Sequence, residues 1–175
     1  MKKIIAISGS FRINSYNAAT LKYIIEKYKE NINIKHLDIS TIPMFCEDLE
    51  YNIPSEVKKA IEEISECEGI IISTPEYNQT IPPVLKNLLD WLSRQDGLLN
   101  EKSVAIISAS PSFIGGARAQ VELKKLCFVL GMKIFNKKQL YISNASNKFD
   151  DKNNLIDKET KDSIKKFIDE YLKSI

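Results

Sequence analysis

The sequence predicts an α/β fold in which a five-stranded parallel sheet is covered by helices on both faces. Short apolar runs rich in β-branched residues alternate along the chain with stretches of helical periodicity. The runs are apolar at nearly every position, as expected of strands that are buried on both faces. Strands that alternate with helices pair in parallel through right-handed crossovers, so these two observations predict the architecture. At 175 residues we expect one domain, spanning residues 1–175.

The predicted strands are the apolar runs themselves, which have the length of buried strands. They are Ile4–Ile7, Ile32–Leu37, Gly69–Thr74, Ser103–Ile107 and a fifth strand that begins at Lys133–Phe135. Ligands of such sheets bind beyond the carboxyl ends of the strands, where the strand order reverses. We therefore expect the polar loops after the first, third and fourth strands to form the site.

The predicted helices carry apolar residues at spacings of three and four. Their apolar faces are Ala18, Leu21, Ile25 and Tyr28; Val57, Ala60, Ile61 and Ile64; Ala119, Leu123, Leu126, Cys127 and Leu130; and Ile164, Phe167, Ile168, Tyr171 and Leu172. A further helix runs from Pro82 and Pro83 to about Arg94, since proline is tolerated in a first helical turn. Gly131 ends the fourth helix, and residues Thr41–Ile53 are predicted to be irregular.

Composition and charge argue against several classes of function. The formal net charge of +2 gives no electrostatic reason to expect nucleic acid or an anionic membrane as a partner. No stretch approaches the ~20 apolar residues that span a bilayer, and the apolar run after Lys2 and Lys3 is too short for a signal peptide. Cys46, Cys67 and Cys127 are scattered and form no CxxC or iron–sulfur spacing. We therefore expect reduced thiols, a cytoplasmic location and no metal site.

The first strand leads through a short polar loop into a helix. Gly9 allows a tight turn, and Ser10, Arg12, Ser15 and Asn17 follow. N–H groups in the first turn of a helix lack internal partners, and the helix dipole favours an anion there, so this arrangement suits a phosphate. Hydroxyls and a guanidinium add charge-assisted hydrogen bonds. Alternatively, Ser15 only caps the helix and Arg12 is a solvated charge.

This loop matches neither of the two common nucleotide-binding motifs. It lacks the Gly-Lys-Ser/Thr of a P-loop, and Gly9 is the only glycine where the dinucleotide fingerprint needs three. A hydroxyl-rich loop fits a single terminal phosphate, such as that of FMN.

The loop after the third strand has the residues that a flat heterocycle requires. Pro75 would hold the loop rigid, Tyr77 could pack on a ring, and Asn78 could hydrogen-bond the edge of that ring. The alternative is a proline-rich connection that binds nothing.

Four motifs follow one another along the chain. They are Gly9-Ser10-x-Arg12-x-x-Ser15-x-Asn17, Pro75-Glu76-Tyr77-Asn78-x-x-x-Pro82, Leu85-Lys86-Asn87-x-x-Asp90-Trp91 and Ser108-Ala109-Ser110-Pro111-x-x-x-Gly115-Gly116-x-Arg118-Ala119-Gln120. Together with the tail after Phe149, they closely resemble the NADPH-dependent FMN reductase family, which includes quinone, azo-dye and chromate reductases. Two departures stand out: Pro83 where the family usually has glycine, and Ser112 in a loop that is usually richer in glycine.

The resemblance implies a flavodoxin-like three-layer sandwich with strand order 2-1-3-4-5. It also implies an enzyme that contains FMN, takes NADPH or NADH as co-substrate, and reduces free flavin, a quinone, an azo compound or a similar small oxidant. Flavin N5 would accept a hydride and pass the reducing equivalents on in a ping-pong sequence, so no catalytic side chain is expected. The lone His36 is interpreted as structural or exposed.

The resemblance also implies which residues bind the cofactor. Ser10, Arg12, Ser15, Tyr16 and Asn17 would hold the FMN phosphate, Pro75, Glu76, Tyr77 and Asn78 would line the isoalloxazine, and Ser108 would border its other side. Arg118 could pair with Glu76 or another carboxylate, or it could face the nucleotide, and we favour a structural pairing. No residue stands out as a reader of the ribose phosphate that distinguishes NADPH from NADH.

The helix over residues 84–94 has a wider apolar surface than one sheet face requires. We expect a subunit contact there, in a homodimer or homotetramer, although burial under a loop of the same chain is the alternative.

Two other functions fit the same motifs. One is a flavodoxin that carries electrons without turnover, which the charge of +2 disfavours because carriers that dock basic partners are usually acidic. The other is a flavin-binding redox sensor without enzymatic activity.

Overall fold

Six parallel strands form one sheet in the computed structural model, which describes all of residues 1–175. In chain order the elements are β1 (Lys3–Ser8), α1 (Tyr16–Tyr28), β2 (Asn33–Leu37), α2 (Ser55–Ser65), β3 (Gly69–Thr74), α3 (Pro83–Ser93), β4 (Ser103–Ala109), α4 (Ala117–Val129), β5 (Lys133–Ile134), β6 (Leu140–Ile142) and α5 (Lys158–Leu172). Two 3₁₀ helices, Glu47–Asn52 and Ala145–Asn147, lie in the connections. The strand order is β2-β1-β3-β4-β5, so the predicted flavodoxin-like order is confirmed.

The predicted fifth strand is divided into two. β5 pairs with the start of β4 through Ser103 and Lys133, and β6 pairs with its end through Ala109 and Ile142. Between them the sequence turns polar at residues 136–138, which ends the apolar run that a buried strand needs. Both pieces lie along the same edge of β4, so the edge of the sheet is covered along most of its length.

Helices cover both faces of the sheet. One core of 24 buried residues packs α2, α3 and α4 on the sheet, and a second core of 21 packs α1 and α5, so neither face is left open. Neighbouring residues of a strand point to opposite faces of the sheet and pack into different cores: Ile5 into the first and Ile4 into the second. This explains why the strands are apolar at nearly every position. None of the helices combines the length and the apolar composition that crossing a bilayer requires.

The buried face of α1 differs from the predicted one. The predicted face was Ala18, Leu21, Ile25 and Tyr28, whereas the buried residues are Asn17, Ala19, Thr20, Leu21, Ile24 and Tyr28. Two of these are polar, and both have partners: the Thr20 hydroxyl donates to the Tyr16 carbonyl (2.7 Å), and the Asn17 side chain donates to a carbonyl of β4 (3.0 Å). Satisfied polar groups can be buried, which apolar periodicity alone does not foresee.

The apolar surface of α3 is covered by the chain itself. The Trp91 indole N–H donates to the Pro43 carbonyl (2.8 Å), and the Phe45 ring stands edge-on to the indole with centroids 5.0 Å apart. The Asn87 side chain accepts from the Phe45 N–H (2.7 Å). As a result Trp91 is only 1% exposed. The alternative of burial under a loop is confirmed, and the argument for a subunit contact through residues 84–94 loses its basis. The oligomeric state itself stays a prediction.

Candidate functional site

Gly9 brings the loops after β1 and β3 into direct contact. Its N–H donates to a backbone carbonyl at the end of β3 (2.8 Å). A Cβ atom on Gly9 would lie 3.0 Å from Thr74 Oγ1 and 3.3 Å from Pro75 Cδ, so a side chain at this position would require these neighbours to shift. Residues 9–15, the first loop, therefore pack on residues 75–82, the third loop, at the carboxyl edge of the sheet.

The first loop ends in unpaired backbone N–H groups at the start of α1. Ser15 is the N-cap of the helix, and its Oγ accepts from the Ala18 N–H (3.3 Å). The N–H groups of Tyr16 and Asn17, in the same turn, have no acceptor in the protein. The positive end of the helix dipole lies at these donors, so the turn can hold an anion. The capping role foreseen for Ser15 is present, and it leaves the hydroxyl hydrogen free to donate.

Arg12 carries the only charge of the first loop. Its Nη2 donates to the Asn14 carbonyl (2.5 Å), and its guanidinium carbon lies 5.6 Å from the centroid of the Tyr16 ring. The side chain is exposed and has no carboxylate partner, so most of its five donors are available. Ser10 is buried beside it and accepts the Arg12 N–H on its Oγ (3.3 Å). The loop thus offers one cation and several donors at the same helix end.

The Asn17 side chain differs from the expectation that it faces a phosphate. It is 2% exposed, and its Nδ2 donates to the Ala109 carbonyl (3.0 Å) while its Oδ1 accepts from the Ala109 N–H and the Ser73 hydroxyl (both 2.9 Å). These bonds tie the start of α1 to β3 and β4. What Asn17 can offer an anion is therefore its backbone N–H, since the amide is committed to the sheet.

The third loop folds into a tight turn that holds Tyr77 and Asn78 at the surface. Tyr77 and Thr80 exchange two backbone hydrogen bonds of 3.0 Å, and the central residues Asn78 and Gln79 have φ angles of 48° and 67°. Left-handed conformations at both central positions define a type I′ turn. Neither residue is glycine, and such positions cost on the order of 1 kcal/mol each. Tyr77 is 46% exposed, so its ring is available to a ligand.

Glu76 faces α4 and not the surface of the loop. Its carboxylate accepts from the backbone N–H groups of Arg118 (3.0 Å) and Ala119 (3.4 Å), and from the Arg118 guanidinium (3.4 Å). Gly116, the N-cap of α4, has no side chain with which to cap the helix. The expected pairing of Arg118 with Glu76 is confirmed. Glu76 fixes the third loop to α4, which differs from the ring-lining role that the resemblance implied.

Ser108 also has a structural position. It is fully buried, and its Oγ donates to the Gly115 carbonyl (2.6 Å) while accepting from the Gln120 side chain (2.9 Å). A Cβ atom on Gly116 would lie 2.9 Å from the Cβ of Ser108, so the loop at residues 110–116, the fourth loop, packs directly on this residue. The Ser108 hydroxyl thus supports the fourth loop, and the expectation that Ser108 borders a ligand stays a prediction. Gln120 belongs to the fourth motif, but the sequence assigned it no role. Its side chain donates to the Ser108 hydroxyl and so completes this support.

The two departures from the family pattern are accommodated in the fold. Pro83 is the first residue of α3, where its fixed φ suits a helix start. The Ser112 hydroxyl pairs with that of Ser110 (3.1 Å), and its carbonyl accepts from the Asn144 N–H (3.0 Å).

A cavity of about 620 Å³, the central cavity, lies between the first loop, the third loop and the start of α3. Its walls include Phe11, Arg12, Met44, Tyr77 and Pro83. The volume is in the range of small-molecule sites, and apolar walls with a few polar groups are typical of them. The first loop contributes Ser10 and the Arg12 guanidinium to this cavity, and the third loop contributes an aromatic wall. The arrangement can hold a phosphate at one end and a planar ring at the other.

Comparison with known proteins identifies related chains. The family model described as NADPH-dependent FMN reductase matches residues 2–147. The chain is 31% identical over 171 residues to a 2-hydroxy-1,4-benzoquinone reductase of Burkholderia sp, covering 97% of this chain and 93% of that protein. It is 37% identical over 164 residues to an NAD(P)H-dependent FMN reductase of Pseudomonas aeruginosa, covering 93% and 89%. Among solved structures it is similar to the flavoenzyme NAD(P)H:(acceptor) oxidoreductase FerB from Paracoccus denitrificans, with a TM-score of 0.90, 26% identity and coverage of 99% and 96%.

Proposed function

The chain belongs to the NADPH-dependent FMN reductase family, and on that premise we propose that it binds FMN at the central cavity and reduces quinones or similar small oxidants with NAD(P)H. One observation carries the proposal: the free guanidinium of Arg12 and the exposed Tyr77 ring line one cavity, and the first loop that carries Arg12 leads into the unpaired N–H groups of α1. A mononucleotide needs such a pairing of an anion site with a ring site.

The residues present fit FMN. A phosphomonoester needs several N–H or O–H donors and one or two cations, which the helix start and Arg12 supply. The residues that line the central cavity include no Asp or Glu that would repel a phosphate. Gly9 lets the backbone of the first loop approach a ligand without a side chain in the way.

The proposed roles of the site residues separate into contact and support. The N–H groups of Tyr16 and Asn17, the hydroxyls of Ser10 and Ser15 and the Arg12 guanidinium hold the phosphate. Tyr77 and Asn78 contact the ring. Pro75, Glu76 and Ser108 position the third and fourth loops around it. This division rests on hydrogen bonds already present: the Glu76 carboxylate is bonded to α4, and the Ser108 hydroxyl is bonded to the fourth loop.

When bound, FMN supplies the centre that takes a hydride from NAD(P)H and passes two electrons to the oxidant. The residues of the chain itself would bind the flavin and the substrates and orient them for the transfer. The Tyr77 ring gives a flat partner on which a nicotinamide or a quinone can stack. Phe11 and Met44 present apolar side chains at the mouth of the cavity, where they help to exclude water from the reacting groups.

We further propose a single domain over residues 1–175, a cytoplasmic location and a homo-oligomer. All three cysteines are free thiols, which is typical of a reducing compartment. For the oligomer, α4 offers a surface that α3 lacks. Val121, Phe128 and Val129 are exposed there, and their spacing places them on one helix face.

The identity of the bound flavin tests the proposal. The purified protein, denatured and analysed by chromatography, should release FMN, and the reconstituted protein should oxidise NAD(P)H when a quinone is added. Release of FAD, or no flavin binding after reconstitution, would contradict the proposal.

A further inference from the structure

The third of the four motifs, which contains Asn87 and Trp91, has no role in the proposed function. The two residues stand four positions apart on α3, so their side chains lie on the same face of the helix. Both are buried, with exposures of 4% and 1%. They contact residues 42–45, which we call the cover segment because it lies over this face.

The Asn87 amide is fully occupied by the cover segment. Its Nδ2 donates to the carbonyls of Pro43 (3.0 Å) and Ile42 (3.4 Å), and its Oδ1 accepts from the Phe45 N–H (2.7 Å). The Trp91 indole N–H donates to the same Pro43 carbonyl (2.8 Å). Although Asn87 borders the central cavity, both of its N–H donors are therefore committed to the chain. Its amide fixes the backbone at both ends of the cover segment.

Met44 lies between these fixed positions and lines the central cavity. Its side chain is 71% exposed, and the exposed rings of Phe11 and Tyr77 line the same cavity. Single exposed apolar side chains are common on proteins, whereas several around one cavity indicate a binding surface. Arg12 carries the only charge among the lining residues. The cavity therefore presents mainly apolar surface to a molecule that enters it.

We propose that Met44 is a specificity-determining residue that favours flat, apolar oxidants such as quinones, and that Asn87 and Trp91 are positioning residues that hold it at the cavity. This inference rests on the proposed function, since it concerns the oxidant that the central cavity receives. Covering an aromatic ring with a thioether side chain removes apolar surface from water, and methionine sulfur makes favourable contacts with aromatic rings. A hydrated ionic oxidant gains nothing from such a contact.

Selectivity between two oxidants tests the role of Met44. The probes are menadione, a flat apolar quinone, and hexacyanoferrate(III), a hydrated anion. The ratio of kcat/KM for menadione to kcat/KM for hexacyanoferrate(III) should fall about tenfold in Met44→Ala. It should fall less than about twofold in Met44→Leu, which restores the apolar volume. An unchanged ratio in Met44→Ala would overturn the inference.

Leu49→Ala is the matched control for this measurement. Leu49 is an exposed apolar residue of the same connection between β2 and α2, but it does not line the central cavity. Its variant should keep the wild-type ratio. A fall in Leu49→Ala as large as that in Met44→Ala would show that the effect is not specific to the cavity, and would also overturn the inference.

Binding of a molecule that is not reduced gives a readout independent of turnover. Calorimetric titration of the FMN-loaded protein with 2-naphthol, a flat apolar probe, should give a Kd about fivefold to tenfold higher in Met44→Ala than in wild type. Met44→Leu should recover most of the affinity. Equal affinity in wild type and Met44→Ala would contradict the proposed contact.

The positioning role of Asn87 and Trp91 is tested by combining substitutions. Asn87→Ala should lower the menadione ratio as Met44→Ala does, and Trp91→Phe, which keeps a ring but loses one hydrogen bond, should lower it about threefold. Neither should lower it further in the Met44→Ala background, because the side chain that they position is then absent. A defect that only weakens the fold would instead add to that of Met44→Ala. Additive effects, or wild-type selectivity in Trp91→Phe, would refute the positioning role.

The fluorescence of Trp91, the only tryptophan of the chain, reports directly on the cover segment. In the FMN-loaded protein, acrylamide should quench Trp91 emission more strongly in Asn87→Ala than in wild type, because the segment that shields the indole is released. Met44→Ala should be quenched like wild type, since its side chain is already exposed. Equal quenching in Asn87→Ala and wild type would show that Asn87 does not hold the segment.

These measurements separate the inference from the proposed function. In a ping-pong sequence kcat/KM for the oxidant reports on its own half-reaction, so an effect on NAD(P)H cancels from the ratio. If wild type reduces both oxidants with the same selectivity as Met44→Ala, the role of Met44 is refuted while the reductase stands. If wild type binds FMN but reduces neither oxidant, both fail.

Discussion

The carboxylate of Glu76 accepts a hydrogen bond from the backbone N–H of Arg118 at 3.0 Å, so that a residue of the third loop caps a helix 42 positions further along the chain. The N-cap of α4 itself is Gly116, which has no side chain for this purpose. A carboxylate at the start of a helix also interacts favourably with the helix dipole. The position of the turn that carries Tyr77 therefore depends on α4.

Removing this cap should destabilise the protein and loosen the third loop. Glu76→Ala should lower the free energy of unfolding by about 1–2 kcal/mol, the cost of losing a helix N-cap. Glu76→Gln keeps an acceptor oxygen and should fall between Glu76→Ala and wild type. Urea unfolding measures this, with Glu30→Ala as an exposed control that has no ion pair. If Glu76→Ala is as stable as Glu30→Ala, the cap contributes nothing.

Arg12 should matter for flavin binding and not for folding. Arg12→Ala removes the proposed charge-assisted contact to the phosphate and should weaken FMN binding by about 1.5–3 kcal/mol, or roughly tenfold to 150-fold. Its thermal midpoint without flavin should stay close to that of wild type, because Arg12 is exposed and has no ion pair. Quenching of FMN fluorescence on titration measures the affinity, with Arg94→Ala, at the C-cap of α3, as a control outside the central cavity. Unchanged affinity in Arg12→Ala would show that the residue is a solvated charge.

Asn17 should matter for folding first. Asn17→Ala leaves the Ser73 hydroxyl and both backbone groups of Ala109 without their partner, so we expect a loss of about 2–4 kcal/mol. Asn14→Ala, whose exposed side chain makes no hydrogen bond, is the matched control and should cost less than about 0.5 kcal/mol. Chemical unfolding of the two variants decides the point. A loss in Asn17→Ala as small as that in Asn14→Ala would contradict the buried network.

The surface of α4, and not that of α3, should form any subunit contact. Phe128→Lys should lower the molar mass in light scattering from that of an oligomer toward that of one chain. Trp91→Phe should leave the mass unchanged but cost about 1–2 kcal/mol, because it removes a buried hydrogen bond to Pro43 and some packing. A wild type that is already monomeric would refute the oligomer, and dissociation by Trp91→Phe alone would point back to α3.

The sequence was sufficient to predict the strands, the parallel sheet and the convergence of its loops. Apolar runs such as Gly69–Thr74 are long and bounded by polar residues, so they are read correctly without a structure. A structural pairing of Arg118 was also favoured from the sequence, with Glu76 as one of its candidate partners. The division of the fifth strand was not predicted, because the apolar residues of β6 resume only after a polar interruption.

Other features depend on contacts between distant parts of the chain. A buried serine and an exposed serine look the same in a sequence, so the support role of Ser108 was not predictable. The cover over Trp91 comes from a segment that was predicted only to be irregular. Met44 and Tyr77 lie in separate connections of the chain, and only the fold brings them to one cavity. Sequence spacing carries no signal for such a pair.

The most direct test of the reductase assignment is to follow its two half-reactions separately. Under anaerobic conditions, one equivalent of NADPH should bleach the flavin absorbance of the FMN-loaded protein, and one equivalent of a quinone should then restore it. The proposed use of the face at Tyr77 by both substrates in turn predicts that steady-state turnover also gives parallel double-reciprocal lines. Failure of NADPH to bleach the flavin, or failure of the quinone to restore the colour, would contradict the account.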